Sequence, residues 1–215
     1  MDHGQGHPHR RLAWGEPAPG ALTRIVARVR ALVGGSAQEP RGVGLRELPL
    51  AMRRGDLAER YLAAERDEDH RRAGAAAVAA MERAIAESEW WPADVWAHRG
   101  LWHFERAGLT LQATRQARRI GDLRAAAGDP ASARRYYAEA IDEARDIGAE
   151  HEQGLAALGL GRALLDLGEV GAGRRLAGAA ETLLERAGAP LGEVDAAHRL
   201  RGSELMVGEH AKEGE

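Results

Sequence analysis

The phrase FERAGL at Phe104, ARDIGA at Ala144 and LERAGA at Leu184 returns every forty residues, and the first and third copies share Glu-Arg-Ala-Gly. A fixed period of this size restricts a chain to architectures built from stacked supersecondary units. Shifted by forty, the sequence lines up in columns. Ala77, Ala117, Ala157 and Ala197 form one, and Ala80, Ile120, Leu160 and Leu200 the next. Ala93, Ala133 and Gly173 agree, as do Gly100, Ala140 and Ala180. The dipeptides Ser88-Glu89, Gly128-Asp129, Gly168-Glu169 and Gly208-Glu209 fall in the same register.

Each unit reads as two helices. Between the turn dipeptides the chain is rich in Ala, Leu, Arg and Glu, which are good helix formers. Gly128 and Gly168 stand where a left-handed residue ends a helix, and Gly108, Gly148 and Gly188 close the second helix of each unit in the same way. Asp129 is placed to cap the next helix, with Pro130 at its first position. These signals predict helices near 72–87, 92–107, 110–127, 130–147, 150–167, 170–187 and 190–207. The small-residue columns are expected where helices approach closely, with Ile120, Tyr137, Leu160 and Leu164 filling the space between them. No single pair buries its apolar face alone, so stacking supplies the core.

In the stretch GDLRAAAGDPASARRYYAEA, Gly121, Gly128, Asp129, Ala133, Tyr137 and Ala140 sit at the characteristic offsets of the tetratricopeptide repeat, and the next unit keeps Gly161, Leu164, Gly168 and Ala180. The chain resembles that family over about residues 72–207. The period exceeds the family's usual ~34 residues. It is similar to the longer-helix variant in sensor arrays of large bacterial transcription activators and related signalling proteins. The first unit departs from the pattern: Met81 replaces a small residue and Ser88 the turn glycine. The resemblance implies an all-α fold of antiparallel helix pairs stacked in a right-handed superhelix, about three and a half units long. It also implies a concave groove lined by the first helix of each unit. The family's groove offsets fall on Arg115, Arg118, Asp122, Arg162 and Asp166, with Leu155, Leu158 and Leu165 beside them. Three arginines on one face can hold a carboxylate, such as a peptide C-terminus, through paired hydrogen bonds. They can equally be ordinary solvated residues in a chain whose 30 basic side chains include one lysine, Lys212. The mixture of charge and leucine suits an amphipathic peptide or helix.

The domain organisation expected is a tail at 1–20, N-terminal helices and a linker at 21–70, the repeat domain at 71–208 and a second tail at 209–215. Residues 1–20 are rich in Gly, Pro and His and read as disordered. In ALTRIVARVRALV, Leu22, Ile25, Val26, Val29 and Val33 follow helical spacing, while Arg24, Arg28 and Arg30 lie mostly elsewhere on the wheel. This segment is expected to cap the repeats or to meet a partner or membrane surface as a basic amphipathic helix. GGSAQEPRGVG reads as a linker. Helix resumes at 48–66, with Asp56 a candidate cap and Leu57, Tyr61 and Leu62 on one face, and RDEDHRR forms a charged turn into the repeats.

Four of the five tryptophans lie in EWWPADVWAHRGLW. Trp96 aligns with Tyr136 and Leu176 and belongs to the core. Trp102 aligns with the polar Asp142 and Thr182. Trp91, Val95, His98 and Trp102 are spaced as one helical stripe, expected to be covered by the N-terminal segment or to form an interface, including a homodimer. Leu205, Met206 and Val207 at the far end are candidates for self-association, or part of a terminal cap.

Little catalytic chemistry is encoded. The chain has no Cys, which removes disulfides, thiolate metal sites and cysteine nucleophiles. No histidine spacing matches a zinc site, and His98 and His103 point to different helix faces. Met1-Asp2-His3, with His7 and His9 close by, is able to chelate Cu(II) or Ni(II) through its amine and backbone nitrogens, which in a free N-terminus is a chemical liability more often than a function. GAGRR lacks the Lys-Ser/Thr of a phosphate loop, and no nucleophile accompanies the Asp94/His98 pair. No apolar run nears the ~20 residues of a transmembrane helix, and the N-terminus lacks a secretory signal. The net charge of −3 divides into +5 over residues 1–55, with nine Arg and four acids, and −8 over the remainder. A value near zero argues against direct nucleic-acid binding. The expectation is a cytoplasmic, non-catalytic protein–protein interaction module without cofactor or metal, a bacterial adaptor or regulator. Its alternative is an accessory signalling or transcription-regulatory protein whose self-association responds to a ligand; an enzyme or biosynthetic accessory ranks third.

Overall fold

The computed structural model describes residues 55–202. Among them all regular structure is helical: α1 (Asp56–Arg66), α2 (His70–Ala86), α3 (Trp90–Arg106), α4 (Thr110–Ala126), α5 (Pro130–Asp146), α6 (Glu150–Asp166), α7 (Val170–Arg186) and α8 (Leu191–Gly202). The forty-residue period resolves into two equal halves. Helices α2 to α7 are each 17 residues long, start twenty residues apart, and are joined by three-residue connectors. The first two repeat helices begin at His70 and Trp90, slightly earlier than the sequence reading placed them.

One connector geometry is used throughout. Its second residue takes a positive φ: Glu68 55°, Ser88 60°, Gly108 66°, Gly128 76°, Gly148 68°, Gly168 78° and Gly188 64°. The following amide donates to a carbonyl five residues back, as in Asp69 to Ala64, Glu89 to Ala84 and Leu109 to Phe104, each at 2.8–2.9 Å. That is the six-to-one bond of a Schellman turn, and it satisfies carbonyls the helix end leaves open. Five turns use glycine; Glu68 and Ser88 adopt the same conformation at a steric cost of roughly 1 kcal/mol each. Asp129 caps α5 by accepting from the Ser132 amide at 3.0 Å, behind Pro130 in the first turn. Asp69 caps α2 likewise through Arg72, at 2.9 Å. Asp56 is not a cap. It is the first residue of α1, and Gly55 precedes it without a side-chain hydrogen bond, because glycine has no oxygen to offer. The charged turn before the repeats is also shorter than expected: His70–Arg72 already belong to α2.

Short connectors force consecutive helices to lie antiparallel and side by side. Each helix packs on its sequence neighbours, and α4 also meets α6, as α6 meets α8. Helices α4, α6 and α8 thus form the tighter layer. Between the layers lie the small-residue columns: Ala77, Ala117, Ala157 and Ala197 are buried, as are Ala93, Ala133, Ala140 and Ala180. Volume is exchanged between equivalent positions rather than conserved at each. A Cβ on Gly121 would lie 2.8 Å from the Tyr137 ring. Forty residues earlier the same two positions are Met81 and Ala97, both fully buried, so the large side chain has moved to the other helix. Gly74 accommodates Phe104, and Gly154 accommodates Leu184. Their counterparts in the middle unit are Thr114 and Ala144, both fully buried. This is how a core keeps interior density without repeating its side chains.

The tail, the segment ALTRIVARVRALV, the linker, residues 48–54, and Leu205, Met206 and Val207 lie outside the described residues.

Candidate functional site

The predicted groove residues fall on α4 and α6, neighbours in the tighter layer. Arg115 and Arg118 stand one helical turn apart on α4, and Glu152 rises between them from the first turn of α6. Arg115 Nε donates to Glu152 Oε1 at 3.1 Å, and Arg118 Nε donates to Oε2 at 3.0 Å. Arg118 also donates from Nη1 to Asp122 Oδ2 at 2.9 Å, and the Tyr137 hydroxyl reaches the other Asp122 oxygen at 2.8 Å. Burial, followed by the Asp122 carboxylate, pushes the Tyr137 phenol up, so it stays a donor. The arginine pair does receive a carboxylate, but an internal one. Glu152 is only 6% exposed, and its two oxygens tie α4 to α6. Arg118, Asp122 and Glu152 are therefore a structural clamp first. What remains open to solvent on this face is the outer part of Arg115, with Arg162 and Asp166, while Leu155 and Leu158 are half-buried. Leu165 is buried against Gly173 of α7 and does not line the face.

Further pairs lace the same layer. Arg119 of α4 donates to Glu82 of α2 at 2.6 Å, and His151 of α6 meets Glu193 of α8 at 2.6 Å. These pairs join helices forty residues apart in phase, where the groove of a helical repeat is formed.

The aromatic stripe on α3 separates into three environments. Trp91 is 60% exposed, and its neighbour Trp90 is 51% exposed. His98 turns to α5: its Nδ1–H donates to the Asp94 carbonyl at 2.8 Å, leaving Nε2 to accept from the Tyr136 hydroxyl at 2.9 Å. Asp94 is held by Arg124 of α4 at 2.8 Å. Both members of the Asp94/His98 pair are thus engaged in helix–helix contacts. Trp102 is half-buried, edge-on to His70 at 5.4 Å and to His103 at 4.6 Å, with the Arg106 guanidinium 5.7 Å from its ring. Trp96 is buried at 5.1 Å from Tyr61, as its alignment with Tyr136 implied.

That leads to a cluster the sequence reading missed, where α1, α2 and α3 meet. Tyr61 and Glu65 come from α1, His70 from α2, Arg99 and His103 from α3. Tyr61 and His103 are each 1% exposed. The Tyr61 hydroxyl donates to Glu65 Oε1 at 2.8 Å, accepts from Arg99 Nη1 at 3.1 Å, and lies 3.0 Å from His103 Nε2. His103 Nδ1 is 3.1 Å from His70 Nδ1. The phenol is pushed up, by burial first. Burial would raise Glu65, but hydrogen bonds from His103 and Tyr61 outweigh it and hold the carboxyl low. His70 is lowered by burial, then by His103 and Arg106. The sequence offered only a partial signal: His103 aligns with Glu143, also polar and buried, but the same column holds Ala63 and Leu183. Among the described residues no group of three or more His, Asp or Glu side chains is arranged to hold a metal ion, and no helix is long and apolar enough to cross a membrane. No family model matches the chain, and no curated protein sequence matches it.

Proposed function

We propose that this chain is a non-catalytic binding module, a tetratricopeptide-like adaptor or regulator that holds an amphipathic peptide or helix of a partner protein on the face made by α4, α6 and α8. The observation that carries this reading is the side-by-side packing of those helices, α4 on α6 and α6 on α8. That arrangement brings residues at successive turns of adjacent helices onto one face. Leu155 and Leu158 offer an apolar strip, and exposed Arg162 and Asp166 lie one and two turns beyond Leu158. A peptide with apolar anchors at i, i+3 and i+4 and flanking charges of both signs fits that pattern. Arg118 is fastened by Glu152 and Asp122, and Arg115 gives its Nε to Glu152, so recognition of charge falls to Arg162 and the exposed outer part of Arg115. The side chains that carry polar chemistry hold helices together, which supports a scaffold over an enzyme.

The test is a library of amphipathic peptides screened against the full chain, with binding mapped by amide chemical shifts. Binders are expected to perturb α4, α6 and α8, and Arg162→Glu is expected to weaken them about tenfold or more while helicity is kept, a change near 1.4 kcal/mol. Perturbations confined to the odd-numbered helices, or indifference to the substitution, would refute the groove.

A second reading, a signalling or transcription-regulatory accessory whose self-association responds to a ligand, draws support from the exposure of Trp90 and Trp91. Two adjacent indoles in water are apt interface anchors. A ligand-dependent change in molecular mass that Trp91→Ala abolishes would favour it.

A further inference from the structure

The α1–α2–α3 cluster contains two imidazoles in direct contact, and its hydrogens can be counted. The Tyr61 hydroxyl has one proton, and the Glu65 carboxylate at 2.8 Å accepts it. The phenol oxygen then has only lone pairs to present to Arg99 and to His103 Nε2. His103 Nε2 therefore bears a hydrogen, which also faces Glu65 Oε1 at 3.4 Å. Between His103 Nδ1 and His70 Nδ1, 3.1 Å apart, there is room for one hydrogen. A neutral pair satisfies this, and so does a pair with one added proton, since either nitrogen can donate to the other. A pair with two added protons cannot: two N–H bonds would point at each other, and two cations would share the gap.

We propose that the His70–His103 contact is a proton-operated clasp that keeps α1 seated on α2 and α3 at neutral pH and loosens it when the second imidazole is protonated. The clasp lies at the end of the stack away from α8 and acts independently of the binding face proposed above. The charged and titratable groups facing the pair are Glu65 and Tyr61 from α1, Glu68 from the α1–α2 connector, and Arg99 and Arg106 from α3. Glu65 supports the first added proton. Arg106 and the first proton oppose the second, and Glu68 offsets them only in part. His70 titrates below its ordinary value near 6.5 because burial, His103 and Arg106 all disfavour its cation. The sign follows: the folded chain binds fewer protons than the unfolded one in this window. The clasp is intact above about pH 6.5 and weakens as pH falls below it toward the depressed folded value.

The experiment is amide hydrogen exchange of the full chain between about pH 7.5 and pH 5, corrected for intrinsic exchange, with α5 and α6 as the internal control. Protection of the α1 amides is expected to fall by about tenfold or more, the equivalent of one pKa unit of linkage, while α5 and α6 hold theirs. In His70→Asn, a short amide that donates without titrating replaces the ring, and the pH response of α1 should disappear. A direct reading needs no variant. The Cε1–H resonance of His70 should titrate below its ordinary value near 6.5, and the His103 resonance should respond to that same step through the shared contact. Pair titration together with pH-dependent α1 protection supports the clasp. A His70 step at its ordinary value that leaves the His103 resonance unmoved, equal α1 protection at both pH values, or an unchanged pH response in His70→Asn overturns it.

Discussion

At the scale of single residues, a few side chains are held in states that ordinary surface chemistry would not give. Thr114 Oγ1 lies 2.9 Å from the Thr110 carbonyl and 3.0 Å from Glu143 Oε2. A hydroxyl has one hydrogen, so when it goes to the carbonyl the Glu143 carboxyl must supply its own. Burial favours the same state, pushing Glu143 up, and Glu139 and Asp146 add to the effect against the opposing Thr114 bond. A carboxyl whose folded pKa is raised contributes favourably below its unfolded value near 4.5, and that contribution is lost as pH rises through the folded value. Glu143→Gln keeps a neutral polar group at all pH values. It should stabilise the chain by on the order of 1 kcal/mol at neutral pH, with the gain shrinking toward pH 4.5, as urea midpoints across that range would show. Tyr137 is the steric counterpart, wedged against Gly121 of α4 and Gly159 of α6. Gly121→Ala places a methyl within the ring's contact distance and should cost about 1–3 kcal/mol in thermal or urea unfolding. Gly121 was legible from the sequence, through the repeat offsets it shares with Gly161, whereas Gly159 stands against Arg119 in the same register and was not. Glu143 and His103 were not, because periodicity shows which positions are interior but not which polar group another helix will present to them.

At the scale of elements, the helices and turns were read almost completely, since each connector carries its own local chemistry. The glycines at 108, 128, 148, 168 and 188 announce a left-handed residue, and Asp129-Pro130 announces the next helix. The reading weakened where that chemistry was missing. Glu68 and Ser88 take the same positive φ without glycine, so the α2–α3 turn was visible only through the phase of the repeat and the α1–α2 turn only as the charged stretch RDEDHRR. The departure suggests a stability experiment. Ser88→Gly removes the Cβ strain at φ 60° and leaves the turn's backbone bonds in place. Allowing for the greater freedom of glycine in the unfolded chain, a net gain of roughly 0.5 kcal/mol is expected. Gly168→Ala, at φ 78°, should lose about 1 kcal/mol. Chemical denaturation of the two variants side by side checks the sign, and equal effects at both turns would mean that backbone strain is not what distinguishes them.

At the scale of the whole molecule, a linear stack is only as cooperative as the interfaces between its successive units. The interface in the middle, between α4 and α6, is where the fold departs most from what its sequence disclosed. Three arginines on a groove face read equally as a carboxylate receptor and as solvated surface, yet two of them hold Glu152, whose role depends on how α6 is rotated against α4. No periodicity fixes that rotation. The clamp joins the half of the stack that contains α2 to the half that contains α8, so removing its charge tests whether the stack behaves as one body. Glu152→Gln leaves Arg115 and Arg118 sharing one neutral acceptor. Arg118 and Glu152 are both largely shielded from water, so the loss should be larger than for a surface pair, about 2 kcal/mol. Arg115 is half exposed and recovers part of its solvation. The more telling outcome concerns cooperativity. If the clamp couples the halves, the variant should unfold in two stages, with α6 to α8 losing exchange protection at lower denaturant than α2 to α4, whereas the parent chain unfolds in one. A single transition, merely shifted, would place the coupling in the apolar columns of Ala117, Ile120 and Ala157 instead, and leave the clamp only to set the register of the binding face.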